Sequence, residues 1–146
     1  MGRAVLASWP FWALASAVFA ALTAILAKIG VEGVGSNLAT LVRTVVILAF
    51  AALIVTVSGE WRGAGEIGRR SWLFLVLSGL ATGASWLCYF RALKIGEAAK
   101  VAPIDKLSVV FVAIIAAVFL GEKLSPANWL GVALIAAGAV LVAVRV

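Results

Sequence analysis

Residues 101–125 read VAPIDKLSVVFVAIIAAVFLGEKLS, and the placement of Asp105 and Lys106 in this stretch decides the fold. The uninterrupted apolar run after them, from Leu107 to Leu120, covers about 14 residues, too few for a helix to cross a hydrocarbon core that needs about 20. The helix must therefore begin upstream and carry Asp105 and Lys106 one to two turns inside it. The second apolar stretch repeats the argument. Thr44 to Val57 is again about 14 residues, so its helix starts near Asn37, a plausible N-cap, and takes in Arg43.

Working outward, five such stretches fill the chain, at about 8–28, 37–58, 71–93, 100–120 and 127–145. Hydrophobic residues make up 65% of the 146 and charged residues only 12%. A soluble domain carries roughly a quarter charged residues on its surface, so the solvent here is the lipid bilayer. A β-barrel would require short alternating segments with a polar lumen face. These runs are longer and do not alternate, so the predicted class is an all-α integral membrane protein with five transmembrane helices in one domain. The first run is long for a signal peptide's apolar region, and no clear cleavage site follows it. Trp9, Trp12, Trp61, Trp72 and Trp129 fall near the expected interfaces, as an aromatic belt requires. Trp86 instead lies deep in the third stretch.

Composition also removes whole classes of chemistry. The chain has no histidine and one cysteine, Cys88. No disulfide framework, cysteine–histidine metal site, or thiol– or serine–histidine nucleophile can be assembled from that inventory. The net charge of +6 belongs to loops and span ends and is not read as nucleic-acid binding. No metal and no cofactor is expected. A proton on Asp105 is the one coupling species the residues suggest, since a carboxylate held in an apolar site is easier to protonate.

Five spans place the termini on opposite sides. Arg3, Arg62, Arg69, Arg70 and Lys123 then face Lys28, Arg91, Lys94, Lys100 and Arg145, an even division of the loop cations. The bias that normally fixes orientation is absent. Either the insertion machinery or a partner sets orientation, or copies insert both ways and pair antiparallel.

Within the spans, an unpaired charge costs several kcal/mol. Arg43 and Asp105 lie at similar predicted depth and are expected to pair. Lys106 either snorkels to the interface or joins the same cavity. The alternatives are a packing clamp without a ligand, or snorkelling by all three residues. With Lys28, Arg91 and Tyr89 at the same end, cations outnumber Asp105, which favours an anionic or zwitterionic solute; anionic lipid head groups explain interfacial cations equally well. In the third stretch Gly79 and Gly83 form a GxxxG that permits close helix approach. Ser78, Thr82, Ser85 and Tyr89 follow helical spacing beside Trp86, a face suited to lining a pathway or to interhelical hydrogen bonds. Pro103 is harmless in a first helical turn, but deeper in it frees a carbonyl.

Three segments carry a resemblance. Lys100-Val101-Ala102-Pro103, then Phe119-Leu120-Gly121-Glu122-Lys123-Leu124-Ser125, then Trp129-Leu130-Gly131 with Gly138, resemble the closing half of the EamA-type drug/metabolite transporter repeat. Phe19 to Thr23, Lys28-Ile29-Gly30, Arg43 and Tyr89 to Leu93 resemble its opening half. The resemblance covers nearly the whole chain. It implies one five-helix repeat of the drug/metabolite transporter fold, like the short prokaryotic members, where long members carry two inverted repeats. Ile104-Asp105-Lys106-Leu107-Ser108 departs from the mostly apolar start of the family's fourth helix.

The resemblance implies a multi-pass protein of the cell (inner) membrane, a secondary transporter subunit for a small metabolite or drug. The expected direction is export, by alternating access in a homodimer that is antiparallel if it imitates the two-repeat proteins. Arg43, Asp105 and Lys106 are the expected solute or gating residues. Tyr89 and Trp86 would line the path, and Glu122 would hold the start of the next helix. The rivals are a non-transporting accessory or assembly subunit and, last, a membrane enzyme. Reporter fusions at Val146 test the orientation: dual insertion labels both sides of the membrane, and a single labelled side contradicts it.

Overall fold

The computed structural model describes residues 8–144. Arg3 and Arg145, used above in dividing the charges, and the last residue of the expected span 127–145 lie outside the described residues. The elements run α1 (Trp9–Val31), α2 (Ser36–Ser58), a 3₁₀ turn (Glu60–Glu66), α3 (Arg69–Ile95), α4 (Ala98–Asp105), α5 (Ser108–Ile115), a π turn (Ala116–Leu120) and α6 (Pro126–Ala143). Every described regular element is helical. Five segments are long and apolar enough to cross a bilayer: α1, α2, α3, Ala98–Leu120 and α6. Large apolar side chains stand exposed along all of them, among them Leu26, Leu48, Leu80, Val118 and Leu141. Such faces are unfavourable in water and suited to lipid or a partner helix.

Local chemistry explains the ends. Gly59 closes α2 in the left-handed region at φ 73°, its N–H donating to Thr56 O and Val55 O. Gly121, at φ 69°, ends the π turn, and the N–H groups of Gly121 and Glu122 both reach Ala116 O. Only glycine adopts this conformation without a Cβ penalty. Ser125 caps α6: its Oγ accepts from Asn128 N at 3.2 Å, and Pro126 fills the first helical position, where its missing N–H costs nothing. Glu122 thus stands in the turn but closes the preceding helix through its backbone, and Ser125 holds the next start. Asn37 is likewise corrected as an N-cap. Helix α2 begins one residue earlier, Gly35 is the cap without a side-chain bond, and Asn37 is a helical residue.

The span expected at 100–120 is one crossing but not one uniform helix. Since α4 starts at Ala98, Pro103 lies beyond the first turn and withholds the N–H that Ala99 O would accept. Just past it the ladder tightens to three-residue bonds: Lys106 N to Pro103 O at 3.1 Å, Leu107 N to Ile104 O at 3.0 Å, Val109 N to Lys106 O at 3.0 Å and Val110 N to Leu107 O at 2.9 Å. Tightened stretches of this kind inside a helix often mark hinges.

Contacts gather into two units. One comprises 27–94, and the other 1–26 with 95–146; α1 runs from one into the other. In the second, α6 packs on α4 and α5. The buried apolar residues of that unit are Ala24, Ala116 and Ala139, small side chains of the kind that let membrane helices approach closely. In the first, burial collects at one end. Val31 and Leu93 are fully enclosed, with Phe90, Ser36 and Thr40 nearly so. Lys28 at the end of α1 donates to Leu93 O at 2.8 Å, and Lys94 donates to Val34 O at 2.8 Å. Both ammonium groups thereby meet carbonyls near helix C-termini, where positive charge is favoured. At the other end, Trp61 Nε1 donates to Thr56 Oγ1 at 2.9 Å and folds the 3₁₀ turn onto α2.

Substitution separates backbone strain from side-chain space. Gly121→Ala should lower stability by about 1–2 kcal/mol, the cost of a left-handed alanine. Gly131→Ala, with open space around an added Cβ, should be neutral or stabilise by roughly 0.5–1 kcal/mol. Denaturant unfolding in mixed micelles measures both.

Candidate functional site

Arg43 lies about two turns into α2, on the half-buried side of the helix. Its guanidinium carbon sits 4.3 Å from the centroid of the Trp86 ring and 5.4 Å from that of Phe90. Trp86 and Phe90 are one turn apart on α3, so both rings come to the same face. Phe90 is buried and packs edge-on against Tyr89, with ring centroids 6.5 Å apart. Tyr89 also lies within electrostatic range of Arg43. Each cation–π contact contributes about 0.5–2 kcal/mol, the more when water is excluded.

Sequence reasoning selected Arg43, Trp86 and Tyr89 but not Phe90. The signal was present, because Phe90 follows Trp86 at the four-residue spacing that aligns side chains along one helix face. Thr82, expected on a polar face, donates to Ser78 O at 2.9 Å within its own helix. Thr40 and Thr44 do the same, to Ser36 O at 2.9 Å and Thr40 O at 2.8 Å. These hydroxyls are satisfied locally and bend or stiffen helices rather than tying them together. A Cβ built on Gly79 or Gly83 meets nothing within 4 Å, so in the single chain their face is open.

In the other unit, Asp105 pairs with its neighbour Lys106 at 3.4 Å, the side chains being 35% and 57% exposed. A pair this open and this long contributes little stability. Its position matters more, since both residues stand in the tightened stretch that follows Pro103. The partner expected for Asp105 was Arg43. Arg43 belongs to the unit comprising 27–94, and Asp105 to the other. Among the described residues, no cluster of three or more metal-ligating side chains occurs.

The structure defines a class: a multi-pass helical membrane protein with an arginine on aromatic rings in one span and a broken, charged helix in another. The comparisons with known proteins give the family. The EamA-like transporter family model matches residues 7–144, and the chain belongs to that family. A protein of Sinorhizobium sp described as "Uncharacterized transporter in cobO 3'region" is 66% identical over 137 residues, 94% of this chain and 97% of the relative. No solved structure matches. The chain is thus a member of a transporter family with five membrane-length helices.

A double-mutant cycle tests the stacking. Arg43→Met and Trp86→Leu, singly and together, should show a coupling energy of about 0.5–2 kcal/mol in unfolding measurements. Additivity within experimental error would mean the ring does not hold the guanidinium.

Proposed function

We propose that the protein is a secondary transporter subunit of the cell inner membrane that exports a small metabolite or drug, acting as a homodimer by alternating access. The observation that carries this reading is the Arg43 guanidinium held on Trp86 and Phe90 inside an apolar span, because intramembrane ionisable groups are retained chiefly where they face a solute path. Family membership supports the transport role, and the relative whose length this chain covers almost entirely is itself described as a transporter.

In this mechanism Arg43, Asp105 and Lys106 contact or gate the solute, and Trp86 and Tyr89 line its path. The tightened stretch after Pro103 supplies the flexible joint: few backbone bonds must change for the α4 and α5 segments to tilt separately. Asp105 is a candidate proton-coupling site. The open Gly79–Gly83 face and the even division of loop cations support pairing with a second copy, antiparallel if copies insert both ways. Inverted partners place a solute site at their shared interface near the midplane.

Reconstitution into liposomes with a panel of metabolites tests the reading. Wild type should move at least one solute faster than empty liposomes, and Asp105→Asn should reduce that flux toward the empty-liposome rate. Constitutive binding to a membrane partner with no solute-dependent flux would establish the accessory-subunit alternative. Flux unchanged by Asp105→Asn would remove Asp105 from the mechanism.

A further inference from the structure

We infer that Arg43 and Trp86, backed by Phe90, form a binding subsite for a small organic acid carrying one carboxylate, with the guanidinium taking the carboxylate and the Trp86 ring taking its apolar body; this names the solute class for the transporter reading above and rests on it. Three observations lead there.

The first is an unbalanced charge. The ion pairs among the described residues are Lys100 with Glu97 and Lys106 with Asp105. Arg43 joins neither, and among the described residues it donates no hydrogen bond. The contacts given for this half-buried guanidinium are the faces of Trp86 and Phe90, with Tyr89 in electrostatic range, and no carboxylate is among them. The cation–π contribution falls below or near the cost of placing an arginine in the membrane. An anion at this point recovers the difference.

The second is geometry. With its central carbon 4.3 Å over the Trp86 ring, the guanidinium meets a ring face rather than a hydrogen-bond acceptor, which leaves N–H donors for a ligand. Their fork matches a carboxylate bidentately. An apolar group attached to the carboxylate then lies beside Trp86, the partly exposed ring, where ring-on-ring contact is favourable.

The third is the charge available. In the same unit, Lys28 and Lys94 are held by Leu93 O and Val34 O, so their donors are directed to carbonyls at the unit's buried end. Arg91, one residue past Phe90 on α3, is exposed, so Arg43 is the half-buried cation on the rings, and one positive charge at that point suits a monoanion better than a phosphate dianion. A lipid head group offers the same anionic chemistry from another source, and the lipid arms below separate the two.

The test is equilibrium binding of radiolabelled benzoate to the purified chain in nanodiscs, with benzamide and benzylammonium as neutral and cationic probes of the same shape. In phosphatidylcholine discs, benzoate should bind at least about tenfold more tightly than either, the range a charge-assisted pair supplies. Arg43→Gln should abolish that preference. Arg43→Lys, which keeps the charge and loses the fork, should weaken benzoate several-fold while preserving its rank over benzamide. It also keeps the test decisive if Arg43→Gln fails to fold. Arg70→Gln, at the opposite end of the unit, should leave binding unchanged.

Equal binding of benzoate and benzamide, or an equal loss with Arg70→Gln, overturns the proposal. So does Arg43-dependent retention of anionic phosphatidylglycerol without benzoate binding. Binding is read without transport. A chain that binds benzoate but moves no solute therefore overturns only the transporter reading, and one that moves solutes without binding carboxylates overturns only the subsite.

Discussion

Hydrocarbon offers the backbone no hydrogen bonds, and the rest of this structure follows from that constraint. Each crossing must satisfy its own amides, so each is helical, and departures from a regular ladder are confined to places with a specific cause. Glycines at positive φ end two of the spans by turning N–H groups back on the last carbonyls. Proline inside the fourth span removes one donor, and the ladder downstream tightens to compensate. Threonine hydroxyls bond the carbonyl one turn back, and Lys28 and Lys94 take the carbonyls of Leu93 and Val34. Thr40, Thr44, Thr56, Thr82, Lys28 and Lys94 all spend their side-chain donors on backbone carbonyls.

Arg43 is the exception, and this gives it functional weight. Its contacts are with ring faces rather than carbonyls, so its hydrogen-bonding capacity is not absorbed by the fold. The Asp105–Lys106 pair is a milder case. It is partly exposed and loosely paired, and it sits where the helix has lost regularity. In the transport mechanism proposed above, the first would serve as a recognition point and the second as a joint.

Much of this was legible in the sequence. Apolar run length alone forced Arg43 and Asp105 into spans, and it located all five helices to within a few residues. The glycine before Glu122 and the Ser125-Pro126 pair carried the turn between the last two spans. The partners of the charged residues were harder to read. A carboxylate is the default partner for a buried arginine, and the rings under Arg43 are not the partner that residue type alone suggests. Only the relative rotation of α2 and α3, which run length does not encode, brings Trp86 and Phe90 under the guanidinium. The consequence of Pro103 was undecided for a related reason, since it depended on whether the helix began two residues earlier or later.

The central claim is that Arg43 and its rings face a water-accessible solute path rather than lipid or a sealed packing contact. Gly83 shares the face of α3 that carries Trp86 and Phe90 and has open space around it. The most direct measurement introduces Gly83→Cys in a Cys88→Ala background and exposes proteoliposomes, on both membrane faces, to a membrane-impermeant maleimide. The account predicts labelling that slows when transported solute is present. Failure to label, while a lipid-permeant maleimide still reacts, would contradict it.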